Sequence, residues 1–443
     1  MKKLILPFLI LTGNLWADSF TFITNSPIEK EGPNEECSEI ICQSLLDLIK
    51  NADSKIDFAI YGLRGQREIL SALIDAEKRG VRVRGVIDKD TKGESYYSDT
   101  HLLEENLANI RSDYESDLRT AKKLGNKKYD KDKEKTCKGL AGVVANYQKE
   151  CCYRPFGSDG PLQCFEGKGY ASKEEILFRG DIMHNKFFIF DDKYIWTGSS
   201  NISDTGIGGY NANIVAILDS KYLADYYTIE FEQMYLAGLH HREKKKLKKQ
   251  EISTYLNSSK VSLFFSPQGY AMYRGVIPLI RNSSESIDIS IFFLTHNNIS
   301  KELVKAHERG VKIRIILDST AATNGYSKHN YLRDYGIPVK VESWGGKMHM
   351  KSAVIDKKHI IVGSMNWTSA GESKNDENTL IIQDAPKEAK ELSLFFNKLW
   401  ASIPEKWLED DPVSESLDSG YSCFDKIDND FDKVIDKKER DCR

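Results

Sequence analysis

Hydrophobic and polar residues follow the same plan in two long stretches of this chain. Residues Ser54–Asp88 and Glu285–Asp318 each begin with a short apolar run that is typical of a buried strand. A segment with apolar residues three to four positions apart follows, which predicts a helix with one buried face. Gly80 and Gly310 stand where such a helix would end, and a second apolar run follows each glycine. The pattern therefore predicts two α/β units in one chain.

A second pair of matching segments lies downstream of each unit. Met183–Asn201 and Met348–Asn366 match at a constant offset of 165 positions, and each resembles two buried strands joined by a polar turn. Such an internal repeat predicts two homologous lobes that form a pseudo-symmetric pair. The shared polar and glycine positions are His184/His349, Lys186/Lys351, Asp191/Asp356, Gly198-Ser199/Gly363-Ser364 and Asn201/Asn366.

The remaining segments set the predicted domain boundaries. Asp88 and Asp318 are 230 positions apart, so the first half carries about 65 residues more than the second before the offset of 165 begins. This insert lies within residues 92–173 and holds four of the eight cysteines. The run His240–Gln250 is rich in lysine, and we expect it to be exposed. The predicted order is a signal peptide (1–17), a first lobe with the insert (18–238), a basic linker (239–260), a second lobe (261–407) and an acidic tail (408–443).

The first seventeen residues have the composition of a secretory signal peptide. Lys2 and Lys3 precede an apolar run that is too short to span a bilayer, and Ala17 suits the cleavage position. Removal of this segment would change the formal net charge from −3 to −5, which argues against general binding to polyanions. The even number of cysteines, eight, predicts disulfides in an extracytoplasmic protein. A cysteine-based zinc site is not indicated, since the chain has no CxxC pair and no Cys/His cluster at ligand spacing.

The repeated strand carries groups that suit phosphate chemistry. Residues two apart on a strand share a face, so each histidine and the lysine after it point the same way. Imidazole can act as nucleophile, acid or base, and lysine and asparagine side chains suit phosphate oxygens. One histidine would attack phosphorus while the other protonates the leaving alcohol, a reaction that needs no metal. The predicted site residues are His184, Lys186, His349 and Lys351 for catalysis, with Ser199, Asn201, Ser364 and Asn366 for phosphate binding.

Asp191 and Asp356 begin the polar groups between the two strands of each repeat. Each lies an odd number of positions from its histidine, which puts it on the other face of the strand. We therefore expect both aspartates to have a structural role in hairpin turns.

The doubled pattern H-x-K-x4-D-x6-G-S-x-N resembles the HKD signature of the phospholipase D superfamily. The resemblance covers about Phe20–Gly238 and Val261–Trp407. It implies a two-lobed α/β fold with one active site between the lobes. Because both motifs lie in one chain, a monomer would suffice to form the site, and the oligomeric state stays open. It also implies hydrolysis or transfer at a phosphodiester through a phosphohistidine, with His184 as the nucleophile.

Members of this superfamily often carry a Glu-Asn pair after the Gly-Ser-x-Asn segment. The second half has this pair at Glu377 and Asn378, and the resemblance implies that Glu377 holds the ring of His349. At the same offset the first half has Ala212 and Asn213. We therefore expect His184 to lack a carboxylate partner and to use a backbone carbonyl, a residue from elsewhere or a water molecule. The alternative is that the two histidines exchange their roles, with His349 as the nucleophile.

The resemblance leaves the substrate open. The leading prediction is hydrolysis of phospholipids at a membrane surface. It is favoured by the predicted export of the protein, by its negative net charge and by an insert with aromatic residues, Gly and Pro. The lysine-rich run Lys122–Lys138 favours the alternative of a secreted nuclease that cleaves DNA or RNA. A third alternative is a non-catalytic binding or effector protein.

The acidic tail resembles a calcium-binding loop of the EF-hand type. Cys423 and Cys442 bracket this loop and could close it with a disulfide. Lys433 departs from the pattern, because that position normally holds glycine for a sharp turn. The alternative is a charged, disordered tail. A structural calcium ion would bind through Asp428, Asp430, Asp432, Asp436 and Glu439.

Overall fold

The computed structural model describes residues 18–125, 150–153, 163–166, 180–247, 251–431 and 434–442. The predicted signal peptide and most of the insert, including most of its lysine-rich run, lie outside these residues. Within the described part of the chain, the helices are too short or too polar to cross a membrane.

The first lobe is built on a mixed sheet. Its strands are β1 (Ser19–Asn25), β2 (Lys55–Ile60), β3 (Leu63–Arg64), β4 (Arg82–Ile87), β5 (Ile110–Ser112), β6 (Glu150–Tyr153), β7 (Gln163–Glu166), β8 (Lys186–Phe190), β9 (Tyr194–Gly198), β10 (Ile202–Ser203) and β11 (Asn213–Asp219). Seven of them form one sheet in the order β1-β11-β9-β8-β2-β4-β5, while β3 pairs with β10 and β6 pairs with β7. Strand β2 is buried along its whole length, as expected for a strand that is covered on both faces.

The second lobe repeats this sheet. Its strands are β12 (Ile252–Leu256), β13 (Ser259–Ser266), β14 (Ser286–Ile291), β15 (Lys312–Leu317), β16 (Val339–Val341), β17 (Lys351–Ile355), β18 (His359–Gly363) and β19 (Glu377–Gln383). They form one sheet in the order β12-β13-β19-β18-β17-β14-β15-β16. Without the edge strand β12, this order matches that of the first sheet strand for strand. The two-lobed α/β architecture predicted from the repeat is therefore confirmed.

Helices cover the sheets. They are α1 (Ile40–Asn51), α2 (Arg67–Lys78), α3 (His101–Asn106), α4 (Tyr114–Gly125), α5 (Lys221–Tyr235), α6 (Ile277–Asn282), α7 (Asn297–Glu308), α8 (Ser319–Ala322), α9 (His329–Asp334), α10 (Ser369–Ser373) and α11 (Pro386–Ser402). A π-helical turn (Met272–Val276) precedes α6, and 3-10 turns lie at His241–Glu243, Glu405–Leu408 and Asp436–Lys438. Helices α2 and α7 carry the apolar spacing expected from the sequence, and each buries one face.

One apolar core joins the two lobes. Phe187 and Tyr227 of the first lobe belong to the same buried cluster as Phe265 and Leu380 of the second. The rings of Tyr227 and Phe265 cross edge to face, with 5.1 Å between their centroids. Two further buried clusters lie one in each lobe. The lobes therefore pack as a single body, which fixes the groups that meet between them.

Part of the predicted basic linker is buried, so the expectation of an exposed segment is wrong there. His240 and His241 are almost fully buried. The ammonium of Lys244 is also buried, and it forms ion pairs with Glu230 and with Asp376 at 2.8 Å. These carboxylates balance the lysine charge, which allows a lysine-rich segment to enter the interior.

Two disulfides are present among the described residues. Cys37 is bonded to Cys42 next to α1, and Cys423 is bonded to Cys442 in the tail. The predicted closure of the tail by the second pair is therefore confirmed.

Candidate active site

Each repeated histidine segment binds to the opposite lobe through its backbone. Met183 forms a parallel bridge with Asp376, and Met348 forms the corresponding bridge with Ala212. The amide of His184 donates to the Asp376 carbonyl at 2.9 Å, and the amide of His349 donates to the Ala212 carbonyl at 3.0 Å. The two histidines therefore approach each other at the interface, one from each lobe.

The side chains that hold the two rings are exchanged between the lobes. Nδ1 of His184 lies 2.9 and 3.0 Å from the two carboxylate oxygens of Glu377. Nδ1 of His349 lies 3.2 Å from the amide oxygen of Asn213. The prediction that Glu377 holds His349 is wrong. His184 does have a carboxylate partner, and it comes from the other lobe, which was the alternative of a residue from elsewhere. In both rings Nδ1–H donates to the partner oxygen, which leaves Nε2 free to react.

A one-residue difference between the halves explains this error. In the sheets, Val215 pairs with Gly198 while Thr379 pairs with Gly363, so the structural offset here is 164 and not 165. The loop after Asn201 is one residue longer than the loop after Asn366. Asn213, not Ala212, therefore occupies the position of Glu377.

Ser199 and Ser364 lie behind the histidines. The hydroxyl of Ser199 donates to the Asn213 amide oxygen at 2.8 Å, and that of Ser364 donates to the Glu377 carboxylate at 2.6 Å. Both serines are fully buried. Their hydroxyls fix the positions of Asn213 and Glu377, which in turn orient the two histidine rings. The sequence analysis assigned phosphate binding to these serines and not this positioning role.

Lys186 and Lys351 are buried beside the histidines. Each ammonium donates to the carbonyl of the histidine two residues earlier, at 2.8 Å for Lys186 and 2.7 Å for Lys351. Burial lowers the pKa of Lys186 to about 7 and holds the pKa of Lys351 well below its usual range. Two partly desolvated ammonium groups at one point form a site for an anion, because a phosphate would restore their full charge.

Burial also shifts the pKa values of the two histidines and of Glu377. The pKa values of His184 and His349 are well below the usual histidine range, because burial and the nearby lysines disfavour a positive ring. Burial raises the pKa of Glu377 to about 8, although Lys186 lowers it. Both rings are therefore neutral in the empty site, and the Nε2 lone pairs are available.

A pocket of about 280 Å³ opens above the two rings. Asn201 and Asn366 lie in its wall, and each has a buried amide oxygen with no hydrogen-bond partner. Asn201 donates from Nδ2 to the hydroxyl of Tyr97 at 2.9 Å. The remaining wall is mainly aromatic and apolar, with Tyr61, Tyr96, Tyr97, Ile182, Phe292, Phe293, Ile427 and Phe431.

Comparison with known proteins places this geometry in a family. A family model described as "Cardiolipin synthase, PLD-like domain" matches residues 45–139, 159–235 and 276–400, which is more than half of the chain. The chain belongs to this phospholipase D-like family. It is a phospholipase D-like phosphodiesterase.

Individual relatives agree with this assignment. The chain is 29% identical over 208 residues to a "Phospholipase D" of Rickettsia felis, covering 47% of this chain and 96% of that protein. It is 34% identical over 119 residues to a "Mitochondrial cardiolipin hydrolase" of Chlamydomonas reinhardtii, covering 27% of this chain and 53% of that protein. The solved phosphatidylserine synthase of Haemophilus influenzae shares the fold, with a TM-score of 0.55 at 14% identity over 89% of this chain and 90% of that chain.

The aspartates of the two HKD segments lie in turns, away from the pocket. Asp191 accepts hydrogen bonds from the amides of Asp53, Ser54 and Lys55 at 2.7 to 3.0 Å. Asp356 accepts equivalent bonds from residues 284–286. In this phospholipase D-like fold each aspartate therefore joins its hairpin turn to the start of the neighbouring strand.

Two buried aspartates that the sequence analysis missed support the histidine segments. Asp88 accepts from the Met183 amide at 2.7 Å, and Asp318 is hydrogen-bonded to the Met348 amide. Both follow a buried strand at the same position of the repeated α/β unit, and this repetition could have identified them from the sequence.

The tail forms one wall of the active-site pocket. Ile427, Asn429 and Phe431 line it, and the Asn429 carbonyl accepts from the ammonium of Lys347 at 2.7 Å. Tyr210 donates to Asp425 at 2.6 Å, which joins the tail to the first lobe. The tail, although far along the sequence from the histidines, therefore shapes the phospholipase D-like site.

The predicted calcium ligands are only partly brought together. Asp428 and Asp430 lie with Glu415 in a group whose ligand oxygens are all within 4.8 Å of one another. Asp436 accepts from the Lys426 amide, Glu439 accepts from the Arg440 amide, and Asp432 lies outside the described residues. Calcium binding by the tail stays a prediction.

Proposed function

We propose that this chain hydrolyses phospholipids through a covalent phosphohistidine on His184. The observation that carries the proposal is the aromatic pocket above two histidines whose supporting groups differ. Glu377, a carboxylate, holds His184, while the amide of Asn213 holds His349.

The difference between these partners supports His184 as the nucleophile and His349 as the acid and base. When Nε2 of His184 attacks phosphorus, the ring becomes positively charged, and a carboxylate at Nδ1 stabilises that charge better than an amide. The negative charge of a bound phosphodiester raises the pKa of His349, so Nε2 of this ring takes up a proton from solvent before the attack. The bond from phosphorus to the leaving alcohol then breaks as Nε2 of His349 transfers this proton to that oxygen. His349 then removes a proton from water, which attacks phosphorus and releases His184.

The lysines and asparagines stabilise the phosphoryl group in this scheme. Lys186 and Lys351 supply charge in a site from which water is largely excluded, where charge has its greatest effect. Asn201 and Asn366 lie in the pocket wall, and we assign the phosphate-binding role to them.

The shape of the pocket supports a lipid substrate over a nucleic acid. Tyr96 and Phe431 are both about half exposed in the pocket wall, as aromatic residues are at a membrane interface. Two cations of the described wall are already engaged, Arg64 with Asp204 at 2.7 Å and Lys347 with the tail. A strand of nucleic acid needs a basic groove that follows several phosphates. A pocket with the tail as one wall suits a single headgroup better.

The two curated relatives support the same choice through their names, phospholipase D and cardiolipin hydrolase. We also propose an extracytoplasmic location, which the two disulfides support, because disulfides are rare in the reducing cytoplasm.

The test presents oxidised protein with phosphatidylcholine vesicles, cardiolipin vesicles and single-stranded DNA in parallel. His184→Asn and His349→Asn serve as matched variants, and each should lower headgroup release by about 10²- to 10⁴-fold. DNA cleavage without lipid cleavage, lost in both variants, would replace the lipase proposal with the nuclease alternative. No cleavage of any substrate would favour a binding or effector protein.

A further inference from the structure

A second group of buried polar side chains lies behind the His184 segment and has no part in the mechanism above. Asp113 and Asp117 lie at the start of α4, and His241 comes from the linker between the lobes. Nε2 of His241 is 3.2 Å from Oδ2 of Asp113 and 3.4 Å from Oδ1 of Asp117. The three ligand atoms all lie within 4.8 Å of one another.

These side chains are buried, and several of their polar atoms have no hydrogen-bond partner. Asp113 and Asp117 are fully buried, and His241 is 3% exposed. Oδ2 of Asp113, Oδ2 of Asp117 and both ring nitrogens of His241 have no partner in hydrogen-bond geometry. Buried polar atoms without a partner are costly, so such a group normally encloses something that satisfies them.

The charges around the cluster are also unbalanced. Asp88 is buried nearby and Asp376 lies 3.4 Å from Nδ1 of His241, so with Asp113 and Asp117 four carboxylates share the surroundings of this ring. The nearest buried ammonium, Lys244, is already paired with Glu230 and Asp376. A bound cation would balance the charge of the carboxylates that face one another here.

We propose that Asp113, Asp117 and His241 bind a divalent transition-metal cation of the Zn²⁺ type. One imidazole nitrogen and two carboxylate oxygens form a donor set that suits zinc, with water completing a tetrahedron. Ligand atoms about 2.0 Å from a tetrahedral zinc are about 3.3 Å apart, close to the 3.2 and 3.4 Å contacts of His241.

The role of this metal would be structural. None of the three ligands lines the active-site pocket. Each ligand is instead hydrogen-bonded to a different segment: Asp113 accepts from the Lys89 amide, Asp117 accepts from the Asp181 amide, and the His241 amide donates to Asp376. Asp376 in turn accepts from the His184 amide through its carbonyl. The cation therefore joins α4, the linker and the lobe interface next to the His184 segment.

The test measures zinc in the full chain. After removal of metal with a chelator, we expect purified protein to bind about one Zn²⁺ per chain and to melt at a higher temperature with zinc than without it. Co²⁺ in the same site should give the visible absorption of a tetrahedral complex. Asp117→Asn and His241→Gln should each weaken zinc binding by at least about tenfold and abolish the cobalt spectrum.

Two controls make the outcome decisive. Glu415→Gln alters the acidic group of the tail, the other described group whose oxygens lie close enough together to hold a cation, and should leave the cobalt spectrum unchanged. Asp113→Asn provides a further ligand variant if His241→Gln does not fold. Absence of stoichiometric zinc, or equal zinc binding by wild type and folded ligand variants, would overturn the proposal. Loss of zinc in Glu415→Gln alone would also overturn it, since the metal would then belong to the tail.

Discussion

Replacement of Glu377 by glutamine tests the assignment of His184 as the nucleophile. The carboxylate lies 2.9 Å from Nδ1 of His184, so the attacking ring gains its positive charge beside a full negative charge. A unit pair about 4 Å apart interacts by about 4 kcal/mol at an effective dielectric constant of about 20. Glutamine keeps a neutral hydrogen bond worth about 1 kcal/mol. The net loss of about 3 kcal/mol corresponds to a roughly 100-fold lower kcat.

The matched control removes the partner of the other histidine. Asn213→Ala deletes a neutral hydrogen bond to His349, so it should cost only about 1 kcal/mol, or about five- to tenfold in kcat. Both variants should change KM by less than about threefold, because neither Glu377 nor Asn213 lines the pocket. Headgroup release from vesicles at pH 8 gives kcat and KM, and thermal melting checks the fold of each variant.

A rapid acid or base quench followed by peptide mapping gives an independent readout. The covalent phosphoryl group should be found on the peptide that contains His184. Activity of Glu377→Gln within about fivefold of wild type would refute the reasoning. A larger loss in Asn213→Ala than in Glu377→Gln, or a phosphoryl group on His349, would show that the two histidines have the opposite roles.

Three further predictions follow from the same structure. Lys186, with a pKa of about 7, must keep its proton, and Glu377, with a pKa of about 8, must have lost its proton. The fraction of molecules with both groups in these states is greatest between about pH 7 and 8, so kcat/KM should be greatest there and fall on both sides. A flat profile from about pH 6 to 9 would contradict this. Asp191→Ala should lower the free energy of unfolding by about 1–2 kcal/mol in urea denaturation, because three amides lose their acceptor, and a change below about 0.3 kcal/mol would show that the turn does not need it. Phe431→Ala should lower activity on vesicles several-fold more than activity on a soluble short-chain phosphodiester, since it removes an exposed ring at the pocket; equal losses on both would count against membrane contact there.

Much of the fold could be predicted from the sequence because the repeat is visible in the order of hydrophobic and polar residues. The apolar spacing of α2 and α7 and the His-x-Lys strands depend on neighbours in sequence, and the two halves report the same plan twice. The matching order of the two sheets follows from this repeat.

The partners of the histidines could not be predicted in the same way. They come from the opposite lobe, 193 positions from His184 for Glu377 and 136 positions from His349 for Asn213. Because the two loops differ by one residue, the constant offset pointed to Ala212 where the structure has Asn213. Side chains of a strand alternate between faces, so an error of one residue selects a side chain on the wrong face. The burial of Lys244 and the position of the tail depend on ion pairs and contacts between distant segments, which local pattern does not show.

The exchange of ring partners between the lobes has a consequence for the chain before it is fully folded. A first lobe that has folded alone carries His184 without its carboxylate, and a second lobe alone carries His349 without its amide. Each half therefore also lacks the second histidine and the second lysine that the reaction uses. On the proposed mechanism, a chain whose lobes have not docked therefore cannot cleave phosphodiesters.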